Sequence, residues 1–487
     1  MKWPLGGWKK KTNGLHPSRL LPAVLKGRYD AAQTTRENAR HWAMADSLSA
    51  DSSASPDVRR KLRERARYEV ANNSYAKGIV LTLANDCIGT GPRLQVLSED
   101  EEANRQIENA FSQWSRAVNL AEKLRTMRMA KATDGEVFAV LAANPMLDSP
   151  VQMDVQLVEA DRVTSPHDKL WIEQNEVDGI QLNSLGLPES YTVLRTHPGC
   201  TLSSLPGTGA YDIVQASSMI HWFRPDRPAQ HRGVPEITPA LPLFAQLRRY
   251  TLAVIAAAET AADFAAVLFT DAPASGEAQP LEPMDVVELE KRMATVLPDG
   301  WRLGQVDAQQ PTTTYAELKR EILNEIARCL NLPYNIAACN SSGYNYASGR
   351  LDHQTYYKSI RVEQMHLAES VLDPIFKGWM HEAMLTTELS VLRQLDYLPH
   401  QWFWDGNEHV DPAKEANAQA TRLTSNSTTL AAEYARQGKD WETELRQRAK
   451  EKKLMRELGL LEELVVNEPN QNEQEEQEQT EENAADA

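Results

Sequence analysis

The hydrophobic period of the chain changes twice in its first half. From Asp57 onward, apolar residues recur every three to four positions, which is typical of helices, and the pattern continues as helix through 101–130. The spacing then shortens to strand alternation in EVFAVLA, VQMDVQLVEADRV and SYTVLRTH, with turns expected at Asp178-Gly179 and Leu185-Gly186. We therefore expect residues 131–235 to form a mixed α/β or mostly β region.

Helical spacing returns in the second half. An alanine-rich pattern predicts a helix from about Pro239 to Phe269, and an amphipathic pattern predicts another at 313–330. Residues 331–349 contain two glycines and three tyrosines among polar side chains, which predicts a polar loop. One helix at 350–372 should end before Pro374, because the residue preceding a proline is biased away from helical geometry.

Charge is distributed unevenly along the 487 residues. The formal net charge is −16, and residues 467–487 hold eight acids and no base, so this low-complexity segment is expected to be disordered. Residues 1–28 hold seven bases and no acid, which suggests a mobile basic arm. The remaining chain is only mildly acidic and lacks a general basic footprint for gripping nucleic acid.

One local basic run has two interpretations. The segment RRKLRERAR, from Arg59 to Arg67, places six bases in nine positions on a predicted helix. The first interpretation is an ordinary solvated helix face, and the second is contact with a phosphate backbone. The sequence pattern alone does not choose between them.

A search for catalytic motifs returns nothing specific. The GTGPR segment at 89–93 lacks the Lys-Ser/Thr pair of a phosphate-binding loop, and His381-Glu382 is followed by Leu385 where a zinc protease would need its second histidine. Ser348 lacks the glycines of a nucleophile elbow. This result favours a structural or assembly role over an enzyme, with no cofactor and no metal.

The cysteines, histidines and apolar stretches likewise predict no disulfide framework, metal site or membrane segment. The four cysteines are too few and too scattered for a disulfide framework, which is typical of a reduced cytosolic protein. His221, His231, His353 and His366 lack metal-ligand spacing and are expected to pack or lie at the surface. The N-terminus lacks the apolar run of a signal peptide, and the most apolar stretch, 251–270, carries Glu259 and Asp263 at its centre.

Three segments together carry a resemblance to a known family. They are HWFRPDRPAQHRGVPEITPAL at 221–241, LNLPYNIAACNSSGYNYASGRL at 330–351, and HVDPAKEANAQATRL at 409–423 with the later Gly438-Lys439-Asp440 turn and RQRAKEKKLMRELGL. NNSYAKGIV and DGEVFA fit the same pattern. With these segments the chain resembles the lambda-type family of bacteriophage portal proteins over about 25–460.

The resemblance implies a mainly helical α+β fold of portal type, with an α/β wing, a helical stem, a small α/β clip and a helical crown. The segments would be a basic N-terminal arm at 1–28, wing at 29–238, first stem helix at 239–262, clip at 263–312, second stem helix at 313–330, tunnel loop at 331–349, long helix and remaining wing at 350–404, crown at 405–466 and the acidic tail at 467–487.

The resemblance also implies a function. A ring, usually of twelve copies, would occupy one vertex of the capsid in the virion and assemble in the host cytoplasm. Double-stranded DNA would enter through it, driven by terminase, and leave through it into the tail. Further expected partners are the major capsid or scaffold protein and the head-completion or tail connector proteins, with no membrane.

The implied channel residues belong to two groups. The tunnel loop would present Asn340, Ser341, Ser342, Gly343, Tyr344, Asn345 and Tyr346 to the bore, and the second stem helix would bring Lys319, Arg320 and Arg328 near phosphates. For each residue the other interpretation is an ordinary surface loop or solvated helix face.

Two other classes stay open at this point. A head-completion or tail adaptor would also be structural and ring-forming, although such proteins are expected to be shorter and to lack paired stem helices. A DNA-processing enzyme such as a nuclease would require a clustered acidic metal site or a nucleotide loop, and the sequence displays neither.

Overall fold

The computed structural model describes residue 32 and residues 35–166, 175–200, 210–263, 267–270, 301–304, 314–386, 398–406 and 412–460. The basic arm and the acidic tail inferred above, and most of 263–312, lie outside the described residues. The helices are α1 (Ala50–Ser53), α2 (Pro56–Asn72), α3 (Ser74–Ile88), α4 (Glu101–Ala117), α5 (Leu120–Asp134), α6 (Leu241–Asp263), α7 (Thr314–Cys329), α8 (Tyr334–Ala337), α9 (Tyr346–Leu367), α10 (Asp373–Ala383), α11 (Pro412–Thr424), α12 (Leu430–Arg436) and α13 (Trp441–Glu457).

The strands form antiparallel sheets. They are β1 (Arg93–Val96), β2 (Glu136–Ala143), β3 (Met153–Val158), β4 (Glu176–Val177), β5 (Ile180–Leu182), β6 (Pro188–Leu194), β7 (Tyr211–Gln215), β8 (Met219–Phe223), β9 (Val267–Thr270), β10 (Trp301–Gly304) and β11 (His400–Phe403). One sheet has the order β3-β2-β8, a second the order β4-β5-β6-β7, and β1-β11 and β9-β10 form pairs. The fold is thus α+β and mainly helical, as the sequence predicted.

Buried apolar side chains form three clusters within the described residues. The largest packs α4, α5 and α10 against the β3-β2-β8 sheet and contains Trp114, Trp222 and Trp379. A second joins α2, α3, α6, α7 and α9, and a third lies between the two larger sheets around Phe138 and Tyr191. No helix among the described ranges is long and apolar enough to cross a membrane.

Two helix boundaries differ from the sequence prediction. The helix expected over 101–130 is divided into α4 and α5, because Asn119 adopts a left-handed conformation with φ of 53°. The alanine-rich helix ends at Asp263, and Phe269 lies instead in β9, opposite Arg302 of β10. Alanine has a high intrinsic helix propensity, but strand pairing with a segment thirty residues away overrides it here.

The helix expected to end before Pro374 continues through it. After α9, residues Ala368–Leu372 form a π-helical turn, and Asp373, which immediately precedes Pro374, keeps helical angles with φ of −63° and ψ of −43°. A proline at the start of α10 lacks the N–H that a regular turn would use, and the widened turn accommodates this loss. Ile375 and Phe376 are buried next to it, so core packing outweighs the local bias of a residue that precedes proline.

Candidate channel loop and buried ionic network

The predicted tunnel loop is shorter and more ordered than expected. Its first part contains the helical turn α8, and α9 begins at Tyr346 rather than at 350. Asn340 to Gly343 are exposed and Tyr344 is half-buried. The Asn340 side-chain oxygen accepts from the Ser342 backbone N–H at 2.9 Å and from its hydroxyl at 2.6 Å. The segment is therefore an exposed, internally hydrogen-bonded polar turn.

Asn345 and Ser348 form a capping box at the start of α9. The Ser348 backbone N–H donates to Asn345 Oδ1 at 2.8 Å, and the Asn345 backbone N–H donates to the Ser348 hydroxyl at 3.2 Å. Such a reciprocal pair satisfies backbone donors that a helix start leaves unpaired. Of the seven predicted loop residues, Asn345 caps the helix and Tyr346 is its first residue. The Ser348 hydroxyl therefore takes part in helix capping.

Hydrogen bonds and packing anchor the loop at its base. The Asn340 backbone N–H donates to the Asn335 carbonyl at 3.0 Å, and the Asn335 side-chain amide lies 3.0 Å from His353 Nε2 on α9. One turn further, the Tyr356 hydroxyl donates to Asp86 Oδ2 on α3 at 2.7 Å, where burial raises the pKa of Asp86. The exposed turn is thus connected to two helices of the buried core.

The three stem candidates lie on α7, and their described contacts are with its neighbours rather than with the loop turn. The Lys319 ammonium lies 5.1 Å from the Tyr75 ring centroid, and the Arg320 guanidinium lies 5.4 Å from that of Tyr334. Arg328 donates to the Asn331 side-chain oxygen at 3.4 Å. Lys319 is half-buried, whereas Arg320 and Arg328 are exposed. Cation–π contacts of this kind fix a charged side chain over an aromatic face.

A buried ionic network, which sequence reasoning missed, surrounds Glu136 on β2. Arg232 donates to both carboxylate oxygens at 2.7 to 3.0 Å, and the Gly233 backbone N–H donates at 2.9 Å. His221 Nε2 lies 3.1 Å from the same carboxylate. Burial alone would raise the pKa of Glu136, but the Arg232 charge and the hydrogen bonds from His221 and Arg232 outweigh it and hold that pKa well below its usual range.

Buried arginines of the basic run Arg59–Arg67 on α2 join this network. They are neither part of a solvated helix face nor in contact with a phosphate backbone. Arg59 is 1% exposed and pairs with Asp178. Arg63 pairs with Asp161 at 3.0 Å, and Arg67 donates to that same carboxylate at 2.6 Å. These arginines point inward and bind carboxylates in the segment from β3 to β5. The exposed bases of the run are Arg60, Lys61 and Arg65.

A second ionic group connects α5 to α9. Arg128 binds Glu236 at 2.9 Å, and Lys131 binds Glu363 while its ammonium lies 4.6 Å from the Trp222 ring centroid. Lys131 is fully buried. α9 is therefore ion-paired to α5, and its last residue, Leu367, packs in the same core cluster as α5.

The titratable side chains support packing rather than catalysis. Burial lowers the pKa of His221 despite the opposing effect of Glu136, so the neutral ring donates to the carboxylate. His231 binds Asp51 at 2.8 Å. Burial raises the pKa of Cys87 to about 12 and that of Cys329 to about 11, which keeps both thiols protonated. Within the described ranges no group of three or more histidines, cysteines or carboxylates could hold a metal ion.

One signal in the sequence could have revealed the network. Gly135-Glu136 and Arg232-Gly233 both occur in segments already associated with the family resemblance. In the structure Gly135 has φ of 90°, and a methyl group on Gly233 would overlap the Gly135 carbonyl. The glycine beside each charge allows the two backbones to approach closely where the charges pair.

Comparison with known proteins identifies relatives along most of the chain. A model of the phage portal proteins of the lambda family matches residues 35–364. The chain is 25% identical over 470 residues to the probable portal protein of Halomonas phage phiHAP-1, covering 90% of this chain and 88% of that protein.

Chains of gene transfer agent particles are among the solved structures that this chain matches. A chain of the virion of the native gene transfer agent particle matches with a TM-score of 0.42 and 14% identity, covering 77% of this chain and 92% of that one. A chain from the neck of the native particle, computed with C12 symmetry, matches with a TM-score of 0.43 and 14% identity, covering 77% and 90%. Because the family model spans most of the chain, including the Glu136–Arg232 network and the start of α9, the protein belongs to the lambda family of phage portal proteins.

Proposed function

We propose that twelve copies of this portal protein form a ring at one capsid vertex, and that double-stranded DNA passes through the ring into and out of the head. Its role is structural rather than catalytic. The observation that carries the proposal is the family match over 35–364, a range that contains the exposed loop and both candidate stem helices. In the virion the ring connects the head to the tail, after assembly in the host cytoplasm.

The architecture of the described residues is compatible with the proposed division into wing, stem, clip and crown. α6 and α7 would be the stem helices, and their contact is made by Tyr250 and Tyr315, whose ring centroids lie 5.6 Å apart. The short β9-β10 pair lies between them in the chain and would belong to the clip. The sheets before α6, together with β11, would form the wing, and α11 to α13 the crown.

The chemistry of the candidate channel residues suits passage of DNA. Asn340, Ser341 and Ser342 offer neutral donors and acceptors, and Gly343 has open space around it. Lysines and arginines that each neutralise a phosphate would give a steep, salt-dependent grip. A bore lined by short neutral groups, with Lys319 and Arg320 engaged by tyrosines, would instead let phosphates move.

The same proposal assigns partners. The terminase large subunit would dock on the clip during packaging, and head-completion or tail connector proteins would replace it afterwards. The major capsid or scaffold protein would contact the wing. In this proposal DNA passes without sequence-specific recognition.

Electron microscopy of the purified full-length protein tests the ring. We expect ring-shaped particles with a central hole and twelvefold symmetry, and native mass spectrometry should give the corresponding multiple of the 54.6 kDa chain. A protein that stays monomeric in every buffer, including at high protein concentration, would contradict the proposal.

A loop deletion tests the channel assignment. Removing Ser341 to Tyr344 leaves the Asn345 cap of α9 in place, so rings should form while DNA packaging or retention in the head decreases. The control is a triple alanine variant of another exposed turn, at Ser184, Leu185 and Leu187, which should package normally. If the deletion abolishes ring formation, the loop is a subunit interface and the channel assignment is wrong.

A further inference from the structure

The second half of α13 carries a dense set of exposed bases. Between Arg448 and Arg456, five of nine residues are basic and only Glu451 is acidic. The whole of 446–460 is exposed. Among the described residues, no carboxylate lies within ion-pair distance of the five bases, which are Arg448, Lys450, Lys452, Lys453 and Arg456.

Most of these bases face away from the neighbouring crown helices. Gln447, Arg448 and Glu451 line a shallow cavity with Tyr434 and Gln437 of the α12 region, which fixes the inward direction of α13. A helix turns by about 100° per residue. Lys453 therefore lies opposite the cavity, with Lys450 and Arg456 on either side of it, whereas Lys452 lies at the edge between Arg456 and Arg448.

Within the described residues, the polar contacts that join α13 to other elements lie at its beginning. Asp440 caps it, accepting from the Thr443 backbone N–H at 3.0 Å and from the Gln95 side chain at 2.9 Å. Arg446 binds Glu101 on α4 at 2.9 Å. In the described part of the chain, hydrogen bonds and ion pairs join α13 to other elements only up to Arg446. The base-rich half thus extends beyond its last polar attachment.

Without a binding partner, the clustered positive charges destabilise the second half of α13. Arg448, Lys452 and Arg456 follow one another at four-residue spacing, where like charges destabilise a helix. Elsewhere in the same region, Arg422 is neutralised by Glu415 at 2.7 Å and Glu433 at 2.9 Å. A polyanion laid along the outer face of α13 would remove the repulsion that no described carboxylate relieves.

We propose that the outer face of α13, formed by Lys450, Lys453 and Arg456 with Lys452 at its edge, binds the phosphate backbone of double-stranded DNA without sequence preference. Duplex DNA presents one phosphate charge per ~1.7 Å of axis, so bases spread along two helical turns can each meet one. Lysines act as flexible point charges and suit contacts that carry no sequence information. The site is separate from the candidate channel loop and does not depend on ring formation.

Binding of a mixed-sequence 30-base-pair duplex to the full-length protein, followed by fluorescence anisotropy between 50 and 200 mM NaCl, tests the proposal. The variant K450Q/K452Q/K453Q/R456Q should bind at least tenfold more weakly at 50 mM salt. Its slope of log affinity against log salt should be smaller by about one for each base removed. The control R60Q/K61Q/R65Q/K77Q removes the same charge from exposed positions of α2 and α3 and should bind like the wild type.

Three results would overturn the proposal. The first is a wild-type protein that does not bind the duplex at 50 mM salt, which would leave the face to another partner or to the acidic residues 467–487. The second is an equal loss in the control variant, and the third is binding to phosphatidylserine vesicles without binding to DNA. Ring formation is scored separately by microscopy, so a failure of the ring proposal is distinguishable from a failure of this one.

Discussion

The guanidinium of Arg232 binds both carboxylate oxygens of Glu136 at 2.7 to 3.0 Å, and both side chains are almost completely buried. The pair joins the first residue of β2 to the segment that leads from β8 to α6. Further bonds from Arg232 reach the Val163 carbonyl at 3.0 Å and Asp178 at 3.1 Å. One arginine thus connects the two larger sheets of the molecule to the entry of the candidate stem.

Glu136→Gln should destabilise the protein by about 3 to 5 kcal/mol, because removing one partner of a buried ion pair leaves the other charge uncompensated. Urea unfolding followed by tryptophan fluorescence measures this, since Trp222 lies on the neighbouring strand β8. The control is Asp212→Asn, which breaks the exposed pair with Arg195 and should have a much smaller effect, because solvent screens that pair. Equal losses in the free energy of unfolding would show that the buried pair contributes no more to stability than the exposed one.

Gly233→Ala should be strongly destabilising, because the added methyl group overlaps the Gly135 carbonyl and the Glu136 side chain. Backbone has to move on one side, which separates Arg232 from Glu136. The matched control is Gly78→Ala in α3, where a methyl group meets nothing within 4 Å and helix propensity favours alanine by about 1 kcal/mol. Thermal unfolding should thus give a lower midpoint for the first variant and a higher one for the second.

Most of the local structure could be predicted from the sequence where local chemistry decides it. The amphipathic pattern gave α7, and Asp178-Gly179 forms the turn between β4 and β5 as expected. The alanine-rich pattern taken alone places the end of α6 too late, at Phe269, because alanine favours helix locally and the pairing of β9 with β10 depends on residues far along the chain.

The candidate site was predictable to a similar degree. The polar composition indicated an exposed turn around Ser341 and Gly343, and the structure places one there. Asparagine is a preferred N-cap residue, but the polar, glycine-containing surroundings of Asn345 favour a loop, and its capping box with Ser348 is visible only in the structure. The inward orientation of Arg59 and Arg63 could not be predicted from the sequence, because their carboxylate partners lie about a hundred residues away in the chain.

Asn345→Ala should cost about 1 kcal/mol and loosen the start of α9, since it removes the side chain that caps the Ser348 backbone N–H. Hydrogen exchange should become faster over the first turn of α9 and remain unchanged in α7. Ser342→Ala is the control, because that hydroxyl bonds only within the exposed turn. Unchanged exchange in the Asn345 variant would mean that packing alone holds this helix end.

Stability should fall in two steps as the pH decreases, and His221 and Glu136 determine the direction. Folding lowers the pKa of His221 below its ordinary value of 6.5, so the unfolded chain takes up a proton that the folded chain refuses, and stability is lost as the pH falls through about 6.5. Folding also lowers the pKa of Glu136, so a second loss begins as the pH falls below about 4.5.

The free energy of unfolding, measured by urea denaturation from pH 7.5 to 4, tests this. Its slope should be at most about 1.4 kcal/mol per pH unit for each histidine. His221→Gln should flatten the upper step, because glutamine does not titrate. Burial also lowers the pKa of His366, which should account for part of the slope that remains in the His221→Gln variant. Adding His366→Gln to that variant should flatten the upper step further. An upper step that keeps its full slope in the double variant would show that neither ring controls the acid response, and that other groups titrate on unfolding.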